Sequence, residues 1–172
     1  MNARRDGEPV PPRNPVTVER TSDRELVVTR TFDAPAHIVF KAWTTPELFR
    51  QWWLPKSMGM VLRDCEMDVR TGGRYRLVFG EDPAQPAEFF GRYIEVVPNS
   101  RLVWTNEEGG ESGPVTTVTF DEKDGRTFLT IHELYPSKEA LDAAGTGAAE
   151  ATRETFAQLD ELLVMLCANA QA

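Results

Sequence analysis

Residues 147–167 read GAAEATRETFAQLDELLVMLC, and the fold follows from what this stretch requires. Phe156, Leu159, Leu163 and Leu166 recur at helical spacing, Ala149 and Thr152 continue the stripe toward the N-terminus, and Leu162 and Met165 widen it. Glu150, Arg153, Glu154, Asp160 and Glu161 gather mostly on the other side. About twenty residues at ~1.5 Å each make a rod of roughly 30 Å. Such a rod needs a broad apolar surface to lie on.

The preceding chain supplies strands for that surface. Glu25–Phe32 (ELVVTRTF) is rich in β-branched residues and reads as a first strand, with Leu26, Val28, Arg30 and Phe32 on one face. Two short helices follow, AHIVFKAW after Pro35 and a second restarted by Thr45-Pro46-Glu47, which presents Phe49 with Trp53 one turn apart. From Met60 the period becomes two. Gly72-Gly73 is a tight turn before RYRLVF, and the runs FFGRYIEVV, RLVWTNE, VTTVTF and RTFLTIHEL complete a meander at hairpin spacing. Seven strands in all predict an antiparallel sheet.

Composition narrows the partners. A net charge of −8 over 172 residues argues against nucleic acid, because a phosphate-binding surface needs clustered Lys and Arg. No apolar run is long enough for membrane insertion. The N-terminal MNARRDGEPVPPRNP has no apolar segment after Arg4-Arg5, so no secretion signal is expected and the location is read as cytoplasmic. Two cysteines, Cys65 and Cys167, fit buried thiols in a reducing compartment. The expected organisation is a disordered Pro-rich tail over residues 1–17, one domain over 18–168 and a short tail over 169–172.

The runs RTFDAPAHIVFKAWTTPELFRQWWLP, DVRTGGRYR and GRYIEVVPNSRLVW, in this order before a long terminal helix, resemble the START-like (SRPBCC, Bet v 1-like) superfamily. The nearest branch is that of the C-terminal domain of the heat-shock ATPase activator, and the likeness covers roughly residues 25–166. The resemblance implies an α+β helix-grip fold, a curved antiparallel sheet of six to seven strands around the C-terminal helix, with a cavity between them. Members bind lipids and polyketides, act as aromatase/cyclases or serve chaperones, so the fold does not choose the function. The co-chaperone carries a second, N-terminal domain, whereas only the Pro-rich segment precedes the first strand here. A chaperone partner is therefore the least supported expectation, and a homodimer stays open.

On that fold, alternation turns Tyr75, Leu77, Phe79, Trp104, Phe120, Leu129, Ile131 and Glu133 inward. Trp43 and Trp53 from the short helices and Phe156, Leu159 and Leu163 from the last one complete a predicted cavity wall. Each of these residues also fits an ordinary core; four tryptophans on a curved sheet are what argue for a gap. Arg30 and Glu133 fall on the same face, and a lone buried charge is costly, which predicts an ion pair between them. His37 and His132, the only histidines, stand far apart without other ligands at metal spacing, and no nucleotide or nucleophile motif is present, so no metal or cofactor is expected. Glu107, Glu108 and Glu111 read as a solvated rim.

Three functions remain, the last of them a chaperone-regulating interaction domain, for which the sequence shows no exposed apolar stripe. One is binding of a small hydrophobic molecule, a lipid, polyketide or aromatic compound. The alternative is a cyclase/dehydratase-type enzyme with Glu133, Tyr75 or Arg30 as the acid or base. A cavity carboxylate with no cationic partner favours the enzyme, and a fully paired one favours binding.

Overall fold

The computed structural model describes residues 14–80, 84, 87–107, 113–145 and 147–170, with the side chains of 147–150 and 170 left out. Strands β1 (Thr17–Arg20) and β2 (Glu25–Phe32) precede helices α1 (Ala36–Thr44) and α2 (Pro46–Trp52). Six strands follow: β3 (Leu62–Met67), β4 (Arg74–Phe79), β5 (Ala87–Val97), β6 (Arg101–Thr105), β7 (Val115–Lys123) and β8 (Arg126–Leu134). Helices α3 (Lys138–Ala144) and α4 (Gly147–Ala170) close the chain. The strands form one antiparallel sheet in the order β1-β2-β8-β7-β6-β5-β4-β3. This is the α+β helix-grip architecture, with α4 lying against the sheet and against α1 and α2.

The sheet holds eight strands, one more than sequence periodicity gives. The added strand, β1, is a short polar run, TVER, that pairs with β2 from Thr17↔Thr29 to Arg20↔Leu26. Val16 just before it and Val18 within it are its one apolar pair, too short an alternation to reveal a strand. It also moves the start of the ordered body: Thr17 lies in the sheet, Val16 packs on the core, and the Asn14 carbonyl accepts a bond from Arg30. Residues 1–13, the bulk of the predicted tail, lie outside the described part. At the other end α4 continues through Ala170 rather than stopping at 168.

The bend of the sheet is set in β5. Its first half, Ala87–Arg92, pairs with β4, and its second half, Tyr93–Val97, pairs with β6. The changeover coincides with Gly91 and with a register shift between Tyr93 and Glu95. A Cβ at Gly91 would stand 2.0 Å from the Thr105 carbonyl oxygen, so only glycine permits this approach. The Arg92 amide freed by the bend donates to Thr105 Oγ1 (3.0 Å).

On α4 the predicted stripe is buried at Phe156, Leu159, Leu162 and Leu163 and half-buried at Leu166, whereas Met165 is 61% exposed. Arg30 fastens this helix to β2. Its Nη1 donates to the Phe156 carbonyl (3.0 Å), its Nη2 bonds the Asp160 carboxylate, and its guanidinium sits 4.7 Å from the Phe32 ring centre. The predicted pair with Glu133 is therefore absent. The β2–β8 register explains why: Arg30 faces Leu129, while Glu133 faces Leu26, four residues along the strand or about 13 Å away.

Removing Arg30 strands two backbone carbonyls and leaves Asp160 without its cation. Arg30→Leu is expected to cost about 2–3 kcal/mol in urea denaturation, against about 1 kcal/mol or less for Asp160→Asn, whose carboxylate is partly solvated. Equal small losses for both would mean that Arg30 does not fasten the helix.

Candidate functional site

Between the inner face of the sheet and the N-terminal half of α4 lies a cavity of about 830 Å³. The sheet contributes Tyr75, Leu77 and Phe79 from β4, Tyr93 from β5, and Leu102 and Trp104 from β6. Val28, Ile131, Glu133 and Thr116 close the far side, and Ala151, Thr152, Thr155 and Phe156 form the α4 wall. Phe49, Trp52 and the segment from Trp53 to Met60 cover it from α2. Met58 and Phe89 line the cavity and are also solvent-exposed, which marks its opening.

The aromatic side chains form two groups. Trp53 stacks on Phe49 (5.6 Å between ring centres) and meets Phe79 (5.9 Å) and Phe89 (5.5 Å) edge-on, forming the rim. Trp43 lies deeper, 4.8 Å from Trp52 and 6.2 Å from Trp104. Trp43 also lies edge-on against Phe120, which belongs to the packed core and not to the cavity wall. The same correction applies to Leu129, Leu159 and Leu163. All four face inward as predicted, yet they sit at the closed end, where α4 meets β2 and β8. Alternation and helical period give the face of a residue; they do not give its depth along the groove.

Among the predicted wall residues the structure brings together Trp43, Trp53, Tyr75, Leu77, Phe79, Trp104, Ile131, Glu133 and Phe156. Tyr93 lies on the inner face with Phe89 and Gly91 by plain alternation, only 5% exposed, while the more apolar Ile94 is half exposed outside; the sequence reading assigned no β5 residue to the cavity. The strap over the opening was also missed. Its 3₁₀ turn, Lys56–Met58, is held by α4: the Ser57 amide donates to Glu154 (2.9 Å), the Ser57 hydroxyl bonds the same carboxylate, and the Lys56 amide donates to Gln158 (2.9 Å). Gln158 in turn donates to the Trp52 and Leu54 carbonyls (3.0 and 2.8 Å). The Ser57 bonds hold the Glu154 carboxyl below the ordinary range. The signal was there, a Glu and a Gln one helical turn apart beside the apolar stripe.

Polar groups are few. Tyr75 donates to the Thr105 carbonyl (2.7 Å), and Asn106 donates to the Pro114 carbonyl and to Thr116 Oγ1 (both 3.0 Å). These bonds tie down the ends of β6 and β7. Glu133 differs. It accepts one bond, from the Tyr135 hydroxyl (3.1 Å), and no Lys or Arg contacts it among the described residues. Burial pushes its carboxyl above the usual range, opposed by the Tyr135 bond and by neighbouring His132. His132 points to the other face and bonds Glu25 (2.9 Å). Of the three candidates for acid–base work, Glu133 lines the cavity, Tyr75 lines it with its hydroxyl engaged by a carbonyl, and Arg30 is outside it. Glu107, predicted on a solvated rim, is instead mostly covered, bonded to Thr105 and Arg92; Glu108 and Glu111 lie outside the described residues.

Among the described residues no three His, Cys, Asp or Glu side chains are grouped to hold a metal, and no helix is long and apolar enough to cross a membrane. Cys65 and Cys167 are both free, and burial raises the Cys65 thiol to about 11.

An antiparallel sheet gripping a long terminal helix over an aromatic cavity defines a START-like, Bet v 1-like protein. Within that class the chain belongs to the AHSA1 family, Activator of Hsp90 ATPase homolog 1-like protein, whose family model matches residues 33–164. No curated protein matches it. Among solved structures it is similar to a Rhodobacter sphaeroides protein, 26% identical over 90% of this chain and 99% of that one, with a TM-score of 0.77. A Mycobacterium smegmatis protein is 25% identical over 88% and 99% of the two chains, with a TM-score of 0.73. The AHSA1-like protein from Aeromonas hydrophila shares the fold at 16% identity, covering 78% and 92%, with a TM-score of 0.64.

The Glu133 shift has a stability consequence. A carboxyl whose folded pKa is raised contributes fully when protonated, below the unfolded value of 4.5, and its contribution falls as pH rises toward the folded value. Glu133→Gln is therefore expected to match the unsubstituted protein in acid and to exceed it in stability at neutral pH. Parallel pH–stability curves for the two would show that Glu133 is not held in a desolvating site.

Proposed function

We propose that this protein binds a small hydrophobic molecule, a lipid, polyketide or aromatic compound, in the cavity between sheet and helix, without a cofactor. The observation that carries this reading is the cavity itself. At about 830 Å³, walled by aromatic and aliphatic side chains, it falls in the range of pockets that enclose drug-sized molecules. The family binds hydrophobic ligands or regulates chaperones, which agrees with the first branch. The free cysteines fit action in a reducing cytoplasm.

A second reading, an enzyme, rests on Glu133, whose lack of a cationic partner among the described residues is the feature named above as favouring it. A cavity carboxylate with no cation beside it can move a proton to or from an enclosed substrate, as a cyclase or dehydratase requires. Against it, neither Tyr75 nor Arg30 offers a free second acid or base, so catalysis would depend on Glu133 and on positioning alone.

Native mass spectrometry of the purified protein, followed by thermal-shift screening with lipids, polyketides and aromatic compounds, tests the binding reading. A ligand at a hundredfold excess over its Kd should add about 2.7 kcal/mol, or roughly 5–10 °C in Tm for a domain of this size. No co-purified species and no shift across the library would overturn it. The enzymatic reading predicts a chemically altered product from one of the bound compounds, lost in Glu133→Gln while binding persists.

A further inference from the structure

We propose that the ligand is a hydrophobic amine, an ammonium group on an aromatic or aliphatic body, and that Glu133 is its anchor. This rests on the binding reading above and names the chemical class that the site would select.

Three observations carry it. The first is the charge of the wall: among the described residues lining the cavity, Glu133 is the one formally charged side chain, and no Lys, Arg or His is present. An anionic ligand, such as a fatty acid, would carry its carboxylate out of water to a place with no counter-charge, at a heavy desolvation cost. The second is the spare capacity of Glu133. Its β-sheet neighbours are Leu26 on β2 and Thr116 on β7, and the Tyr135 hydroxyl fills one of about four acceptor positions. A bound ammonium would supply both the missing positive charge and further donors. The third is the aromatic lining. Trp43, Trp52, Trp53, Trp104 and Tyr93 present ring systems whose faces carry partial negative charge, attractive to cations and repulsive to anions, most strongly where water is excluded.

These features act in the same direction. The burial that raises the Glu133 carboxyl also strengthens its attraction for a cation, because a desolvated charge pair is less screened than one in water. A neutral hydroxyl would gain a hydrogen bond there but no charge pairing, and should rank between amine and acid.

The test uses three probes with one body: 1-pyrenemethylamine, 1-pyrenemethanol and 1-pyrenecarboxylic acid, titrated at neutral pH and followed by quenching of tryptophan fluorescence. The amine is expected to bind at least about tenfold more tightly than the acid, with the alcohol between them. In Glu133→Gln the amine should weaken about tenfold while the alcohol changes by less than about threefold. Tyr135→Phe, which frees another acceptor site on the carboxylate, should leave the amine equal or tighter. The probe comparison on the unsubstituted protein requires no variant to fold. An acid that binds as tightly as the amine, or an amine preference that survives Glu133→Gln, overturns the inference and leaves the binding reading standing. Failure of all three probes together with the wider library overturns both.

Discussion

The guanidinium of Arg30 joins β2 to the middle of α4, bonding the Phe156 carbonyl and the Asp160 carboxylate above the Phe32 ring, which packs edge-on against Phe156 at 5.1 Å. Everything C-terminal to that fastening is closed: Leu159, Leu162 and Leu163 fill the space to the sheet. N-terminal to it, Thr155, Thr152 and Ala151 look into the cavity. Phe156 belongs to both regions. One helix is thus plug and wall in succession, and the change occurs at the residue whose carbonyl Arg30 holds.

The open half is tied down in a different way. Glu154 and Gln158 do so from α4 itself, through hydrogen bonds to backbone groups of the strap between α2 and β3. Buried backbone donors and acceptors must find partners, and here side chains of the helix satisfy them where a strand would otherwise do so. The cavity is consequently bounded on its open side by a segment pinned at several points, with the Trp53, Phe79 and Phe89 rings at its rim.

Much of this was legible because it depends on periodicity. The stripe of α4, the inward face of β4 and β8, and the two short helices with their tryptophans follow from side-chain spacing alone. What periodicity lacks is register and depth. It set Arg30 and Glu133 on one face but could not place them about 13 Å apart along the strands. It turned Phe120, Leu129, Leu159 and Leu163 inward without separating the filled end of the groove from the empty one. Tyr93 and Ile94 show a further limit: FFGRYIEVV carries apolar residues on both faces, so alternation alone does not say which face looks inward. Strand β1 left only the apolar pair Val16 and Val18, too short an alternation to reveal a strand.

Arg30 and Glu133 both face the inside of this sheet, and their treatment differs. Arg30 is surrounded by acceptors: two carbonyls, a carboxylate and an aromatic face. Its desolvation is offset many times over, as a structural role requires. Glu133 has one hydroxyl and a neighbouring histidine on the opposite face. A fold that needed only a filled core would place leucine there, as it does at the partner position Leu26, and would be the more stable for it. The carboxylate occupies a cavity wall where burial raises its pKa, and its neighbours leave it short of partners. A carboxyl perturbed by burial in a concave site marks a candidate functional position rather than a core position.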